Sequence, residues 1–463
     1  MEGQQYSREQ TEQLRSSRYN VLVPLGDGAG AVYNRRTGSC VSFPPDVYTR
    51  VEAFLTSSSS ELSLLGDSTS APEVAAHLIV GGFAVTRSFD ELEALRTRYK
   101  NARRNPALKL TVYTTYNCNL ACDYCIVGSK KGPMSAETEA LLLRFVDSHF
   151  KKQATSSMTV DWFGGEPLLA TGLIERLSGN FRHLCQENGA SYRAQLITNG
   201  TLITEALAAR IPSWGVDQIQ ITLDGLRDVH DSRRRWKQLG RSSFDDIVRA
   251  LRLLVGKFIV RLRVNVDRRN AGEVSGLLDL FEREGWLNAH SRFYPYVARV
   301  GDYTEDSAWV DQVMCSQDEI QCLQEEWLER LHACNVPVLM QPLYGFPECR
   351  ATTCGAVSSN TFLVTPNGRL HKCGFDADDD ARPVGSLGQT MDPDDPAARY
   401  WRDFDPFASA ECRSCEALPS CMGFCPRNRR DGRVRLAAEY CAYFREHERR
   451  AIAKHIQLQH RRS

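Results

Sequence analysis

From residue 108 onward, short apolar runs alternate with longer segments of helical period. The runs LKLTVYTT, MTVDWFGG, YRAQLITN, DQIQITLD, IVRLRVNVD and SRFYPYVARV are rich in β-branched and aromatic residues and read as strands. Between them, residues 135–152, 170–188, 204–213, 243–256 and 273–284 repeat apolar residues at helical spacing. This order predicts an α/β fold, a parallel sheet covered by helices. Residues 18–97 form a separate pattern. YNVLVPLGDGAGAVYNRRTGSCVSF has two extended segments around Gly-rich turns, PPDVYTRVEAFL and APEVAAHLIVGG are helical, and FAVT is a short strand. With the amphipathic helix of SFDELEALRTRYKNARRNPALK, which runs into a basic linker near Pro106, these elements predict a small winged-helix-like module. Residues 317–334 read as a further helix, and YFREHERRAIAKHIQLQHRRS as a basic, solvated surface helix.

Length changes this picture little, since 463 residues allow two to four domains of about 150 residues. Charge excludes more. Lys plus Arg equals Asp plus Glu at 57 each, so no global field draws the chain to nucleic acid or a membrane surface. The polar start MEGQQYSREQTEQLRSS has no apolar signal core, and no run nears the roughly 18 apolar residues of a membrane span. The expectation is a cytoplasmic protein. In that compartment thiols stay reduced, so 16 cysteines point to metal or redox chemistry.

The chemistry begins at TTYNCNLACDYC, where Cys118, Cys122 and Cys125 stand in a Cys-x-x-x-Cys-x-x-Cys array directly after the first strand. Three thiolates on one loop can hold three corners of a [4Fe–4S] cube and leave one iron open to a ligand. Zinc, the alternative, usually takes paired Cys-x-x-Cys ligands from two places. The array resembles that of the radical S-adenosylmethionine (SAM) enzymes, in which SAM completes the fourth site. The resemblance implies a partial (β/α)6 barrel of the TIM type, with its chemistry at the C-terminal strand ends. It also implies SAM contacts at Gly164, Gly165, Glu166 and Pro167, with the Glu166 carboxylate facing the SAM amino group, and further SAM or substrate contacts at Thr198, Asn199, Thr222, Asp224, Arg263 and Asn265. Asp267 and Tyr294 are candidate catalytic bases from strand-end position alone. The arginine-rich stretch 227–241 reads as a segment that closes over the pocket or binds an acidic substrate, or else as a solvated loop, with His230 and Arg233 its first residues to test.

A second array follows. Cys349, Cys354 and Cys373 precede Cys412, Cys415, Cys421, Cys425 and Cys441, intervals that resemble the SPASM extension of radical SAM enzymes. That resemblance implies two auxiliary [4Fe–4S] clusters, three in all: a distal one on Cys412, Cys415, Cys421 and Cys441, and a nearer one on Cys349, Cys354, Cys373 and Cys425. If Cys349 does not bind, the nearer cluster keeps an open site. Cys40, Cys185, Cys315, Cys322 and Cys334 have no partner at ligand spacing and are expected in the core.

The expected domains are 1–105, similar to the PqqD-like modules that grip a precursor peptide's leader or else a capping domain; 106–305, the barrel; 306–348, a helical bridge; 349–445, the SPASM domain; and 446–463, a basic tail. The resemblance implies an oxidoreductase that matures a ribosomally made peptide (RiPP). Its 5′-deoxyadenosyl radical abstracts hydrogen from a precursor side chain, and an oxidative intrapeptide cross-link follows, a C–C cyclophane or a thioether or ether. The alternative is an anaerobic sulfatase-maturing enzyme that makes formylglycine. The implied partners are the precursor peptide with its leader and a flavodoxin or ferredoxin donor, with no nucleic acid and no membrane.

Overall fold

The computed structural model describes residues 14–57, 62–65, 71–127, 132–301, 305–379 and 381–461. The chain groups into two units, one within Met1–Arg103, Val338–Thr353 and Asp405–Ser463 and the other within Arg104–Pro337 and Cys354–Phe404.

In the first unit, β1 (Leu14–Ser16) pairs antiparallel with a later strand, while β2 (Asn20–Gly26), β3 (Ala29–Asn34) and β4 (Cys40–Phe43) form an antiparallel meander. The first hairpin turns through Gly26, Asp27 and Gly28, all at positive φ, where glycine carries no steric cost. Helix α1 (Pro45–Thr56) starts with proline in its first turn, where a missing N–H is harmless. Helix α2 (Ala71–Val80), strand β5 (Ala84–Thr86), the partner of β1, and helix α3 (Glu91–Arg103) complete the module. Val32, Val51, Phe54, Leu78 and Phe83 fill its core.

The other face of the meander is also covered. Val21, Val23, Ala31 and Tyr33 pack against Phe346, Ile452 and Ile456. The C-terminal helix Glu448–His460 is therefore no solvated tail, because its apolar stripe meets an apolar sheet face that would otherwise face water. Glu448 is buried with it, paired with Arg35 at 2.5 Å and accepting from Ser420 Oγ at 2.9 Å. In the same helix His455 is 1% exposed, its Nδ1 accepting from Met340 N and its Nε2 donating to Tyr344 O, both at 3.0 Å. Burial pushes its pKa from 6.5 down to about 4. The neutral ring is favoured by the fold, so its stabilisation is whole above pH 6.5 and is lost as pH falls toward 4. At pH 5 the loss amounts to about 2 kcal/mol. His455→Gln should therefore lose less stability than wild type between pH 7 and 5, read from denaturant midpoints by tryptophan fluorescence; identical slopes would dismiss the assignment.

The second unit begins with β6 (Leu108–Tyr113), β7 (Leu120–Cys122), α4 (Ala136–Lys152), β8 (Ser157–Phe163), α5 (Thr171–Glu187), β9 (Ser191–Ile197), α6 (Glu205–Arg210) and β10 (Val216–Thr222). It continues with α7 (Arg227–Arg233), β11 (Arg234–Trp236), α8 (Ser243–Leu254), β12 (Ile259–Val266), α9 (Val274–Arg283), β13 (Phe293–Arg299) and α10 (Gln317–Ala333). Strands β6, β8, β9, β10, β12 and β13 run parallel in that order, the partial barrel expected from the pattern. Ser135, Thr204, Ser242 and Ser316 cap the helices they precede, each accepting from a backbone N–H of the first turn.

Alternate residues divide the sheet by chemistry. Val160, Trp162, Leu196, Ile219, Ile221, Leu262 and Val264 are fully buried. The intervening positions carry polar contacts across the sheet: Lys109 with Asp161 at 3.2 Å and Gln218 with Gln195 between neighbouring strands, and Tyr296 Oη donating to Gln220 Oε1 at 3.1 Å across β12. Such a polar lining leads up to the strand ends where the cysteines stand.

The sheet extends past the barrel. Strand β14 (Thr361–Val364) adds parallel to β6, and β15 (Arg369–His371) and β16 (Gly385–Ser386) follow antiparallel. The stretch 349–445 read as one domain is accordingly divided, with 354–404 completing the barrel unit and 405–445 joining the N-terminal module. The physical reason is strand pairing: β6 was an open edge, and β14 satisfies its backbone groups. Among the described residues, no helix is long and apolar enough to cross a membrane.

Candidate active site

The cysteine loop is built as a short ladder. Residues β7 and β11 pair antiparallel, with Arg234 opposite Cys122 and Trp236 opposite Leu120. Asp123 N donates to Arg233 O, Lys237 N donates to Asn119 O, and Lys237 Nζ reaches Cys118 O at 2.7 Å. Residues 227–236 of the arginine-rich stretch are thus neither flap nor solvated loop, while residues 237–241 form an exposed turn. His230, 0% exposed, accepts from Asp224 N at 3.0 Å, and burial pushes its pKa well down, so it serves as a neutral peg under the strand end.

Cys118, Cys122 and Cys125 open into one pocket at the C-terminal ends of the strands. Gly164, Gly165, Thr198, Asn199, Thr222, Arg263 and Asn265 line it. Tyr124, Gln220, Arg234, Arg299 and Phe375 line it as well and were not foreseen. Gln220 and Thr222 alternate on one strand, a period-2 signal that could have found Gln220; Arg234 lies in the arginine-rich stretch singled out above, and Phe375 had no local signal.

Gly164 and Gly165 are a cradle that no side chain could enter. A Cβ on Gly164, at φ +128°, would lie 2.4 Å from Thr115 O, and one on Gly165 would lie 2.3 Å from Asn117 O. Glu166 N donates to Asn117 O at 2.9 Å, so the glycine turn is laced to the chain just before Cys118.

Three expected contacts stand behind this wall. Glu166 is 0% exposed, and its carboxylate accepts from Thr198 Oγ1 at 2.6 Å, Asn199 N at 2.7 Å and Leu168 N at 3.0 Å. Burial raises its pKa despite these donors. Both oxygens are engaged by the strand ends, so its role here is to fix Thr198 and Asn199. Pro167 is buried beside it. Asp224, also 0% exposed, accepts from Asn265 N at 2.9 Å and from Tyr124 Oη, which in turn accepts from Arg234 Nη1 at 2.7 Å. The aromatic residue between Cys122 and Cys125 is in this way anchored to three strand ends.

Both candidate bases are corrected. Asp267 is 0% exposed and held by Arg233 at 2.8 Å and Arg269 at 2.6 Å. Burial would raise its pKa, but the hydrogen bonds from the two guanidinium groups outweigh it and hold the carboxyl below its ordinary 3.8. A carboxylate so satisfied is a poor proton acceptor. Tyr294 sits at the opposite end of β13, about 16 Å along the strand from the pocket-lining Arg299 at some 3.3 Å per residue. Of the cysteines expected in the core, Cys185 and Cys315 are buried, Cys40 and Cys334 are half-buried, and Cys322 is exposed on α10, a helix with one face to solvent.

The donor set fits an iron–sulfur cluster. Burial pushes the Cys118 thiol up and that of Cys122 to about 12, a cost that a cationic cluster taking the thiolates would offset. Among the described residues, no three metal-binding side chains converge on one point as ligands of a single ion must. Thiolates at separate corners of a cube need no such convergence.

Comparison with known proteins agrees. Residues 112–279 match the family model of the Radical SAM superfamily. The chain is 28% identical over 327 residues to the mycofactocin maturase MftC of Mycobacterium tuberculosis, covering 68% of this chain and 77% of that protein. It is 24% identical over 341 residues to the serine-type anaerobic sulfatase-maturating enzyme of Klebsiella aerogenes, covering 71% and 82%. Among solved structures, native anSMEcpe with bound AdoMet matches in fold at a TM-score of 0.57 and 19% identity, covering 75% of this chain and 100% of that one. The superfamily implies one [4Fe–4S] cluster and SAM. The matched strands, the three-cysteine loop and the pocket they share give this enzyme a radical SAM domain at residues 112–279.

Proposed function

We propose that this enzyme is a peptide maturase that oxidatively cross-links side chains within a ribosomally made precursor, using two auxiliary clusters beside the SAM-binding one. When bound, the cluster and SAM supply a hydrogen-atom abstractor strong enough for an unactivated carbon. The chain's own residues orient and exclude. Gly164 and Gly165 let the backbone approach the bound group, Arg234 and Arg263 offer cations to a carboxylate, and Phe163, Val127, Val300 and Phe375 give the pocket an apolar wall against water.

The observation that carries the peptide reading is the open edge of the N-terminal meander. Among the described residues, strand β4 pairs on one side only. The opposite edge, β2, contains Pro24, which has no N–H to offer an added strand. An extended leader would therefore add to β4, with main-chain hydrogen bonds giving affinity. The relative MftC is named a maturase, and the sulfatase-maturating relative keeps a second reading open, oxidation of one serine or cysteine to formylglycine.

The test is anaerobic reconstitution with SAM, reductant and the short peptide encoded beside the gene, followed by tandem mass spectrometry. Both readings remove two hydrogens, so fragmentation decides. A gap in fragments between two residues supports the cross-link; complete fragmentation with one aldehyde supports formylglycine; 5′-deoxyadenosine with unchanged peptide refutes the substrate. Iron analysis of cysteine variants tests the cluster number. As a further expectation, Ser42→Pro should weaken leader binding at least tenfold in fluorescence anisotropy while SAM cleavage without peptide is unchanged, because it removes a donor from the β4 edge.

A further inference from the structure

The cysteines read as distal ligands lie together in the first unit, on or beside the short helices Ala410–Ser414, Leu418–Cys421 and Val434–Glu446. Their sulfurs are met by N–H donors from three directions. Arg429 Nη2 donates to Cys412 Sγ at 3.3 Å, Phe424 N donates to Cys421 Sγ at 3.2 Å, and the Arg445 guanidinium donates to Cys415. Arg429 and Arg445 are both exposed, so each reaches inward from the surface to a ligand sulfur. Charged donors on thiols are out of place in a merely packed core; they suit sulfur that carries negative charge. Of the cysteines read as nearer ligands, Cys349 also receives an arginine, Arg98 Nη1 at 2.8 Å, so charged donors to sulfur are not confined to the distal set.

Hydrogen bonds and positive charge at ligand sulfurs stabilise the reduced, more negative state of an iron–sulfur cluster and so raise its potential. A maturase needs such a sink. An oxidation that removes two hydrogens gives up one electron with the abstracted hydrogen atom and a second as the new bond closes and a proton leaves. That second electron must reduce an oxidised cluster by one.

Resting on the reading of Cys412, Cys415, Cys421 and Cys441 as one cluster's ligands, we propose that Arg429 and Arg445 are positioning residues that raise the potential of the distal cluster and make it the sink for the substrate's second electron. Both act through the sulfurs.

The experiment is a redox titration of the anaerobically reconstituted enzyme followed by electron paramagnetic resonance, with the distal signal identified as the one missing from Cys441→Ala. Arg429→Leu and Arg445→Leu should keep their iron yet lower the reduced-to-oxidised ratio at the wild-type midpoint at least tenfold, about 59 mV for one electron. Arg429→Lys should restore part of the shift. Where a leucine variant fails to load, Arg445→Gln keeps a donor, removes the charge and should still lower the midpoint. Full iron with an unmoved midpoint in these variants overturns the inference. Undiminished iron and signals in Cys441→Ala would instead overturn the cluster reading on which it rests.

Discussion

Gly165→Ala should weaken SAM binding at least a hundredfold and stop SAM cleavage in the same measure. The added methyl would lie 2.3 Å from Asn117 O and 2.6 Å from Tyr116 O, and both are backbone atoms of the segment entering the cysteine loop. Neither can swing aside as a side-chain tip could. The Gly165 N–H, moreover, donates to Thr115 O at 2.9 Å, so the turn and the loop must part together. A hundredfold corresponds to about 2.8 kcal/mol, well within the cost of displacing two hydrogen-bonded backbone segments. Equilibrium dialysis with SAM and the yield of 5′-deoxyadenosine read the effect. Gly179→Ala is the control: apart from the backbone of its own helix, nothing lies within 4 Å of the Cβ it would gain, and alanine is the better helix former. Unchanged affinity in Gly165→Ala would mean that the glycine cradle is not where SAM binds.

Asp267→Asn should cost about 3–5 kcal/mol of stability, the loss typical of removing one partner from a buried ion pair. Arg233, 4% exposed in its side chain, would keep a charge with only Asp224 near, its Nε 4.0 Å from that carboxylate. Arg269 would lose its 2.6 Å partner and keep Asp123 at 2.9 Å. Because Arg233 O holds Asp123 N in the cysteine ladder, SAM cleavage should fall with the fold, and the product formed by surviving enzyme should be the wild-type one. A base would behave otherwise: the variant would stay folded and cleave SAM without finishing product. The pH dependence has a definite sign. The Asp267 carboxyl is held below its ordinary value, so its contribution is present above pH 3.8 and is lost as pH falls through the folded value. Wild type should therefore show an acid-side loss of stability that Asp267→Asn lacks, measured by denaturant unfolding across that range.

How much of this could be read in the chain alone follows from the range over which each signal acts. The period of the apolar residues is local, and it placed the six barrel strands and the helices Ala136–Lys152, Thr171–Glu187, Ser243–Leu254 and Gln317–Ala333 within a few residues. The spacing of Cys118, Cys122 and Cys125 is local too, since a ligand loop must close over a few bonds whatever surrounds it. Glu166 shows where locality ends. Its position after two glycines marks it as part of the site, yet Thr198 and Asn199, more than thirty residues on, take its oxygens and turn it from a contact into a brace. Asp267 likewise looks like a free strand-end acid until Arg233 arrives from another segment.

The sequence by itself determined the alternation of strands and helices, the cysteine triad and the glycine turn, because each depends on neighbours along the chain. Tertiary structure alone decided that stretch 227–241 is the ladder partner of the cysteine loop, that the C-terminal helix closes the N-terminal sheet, and that residues 354–404 extend the barrel. Periodicity reports which face of an element is apolar but not which surface will cover it. That choice, like the pairing of buried charges, is made by desolvation only once distant segments meet.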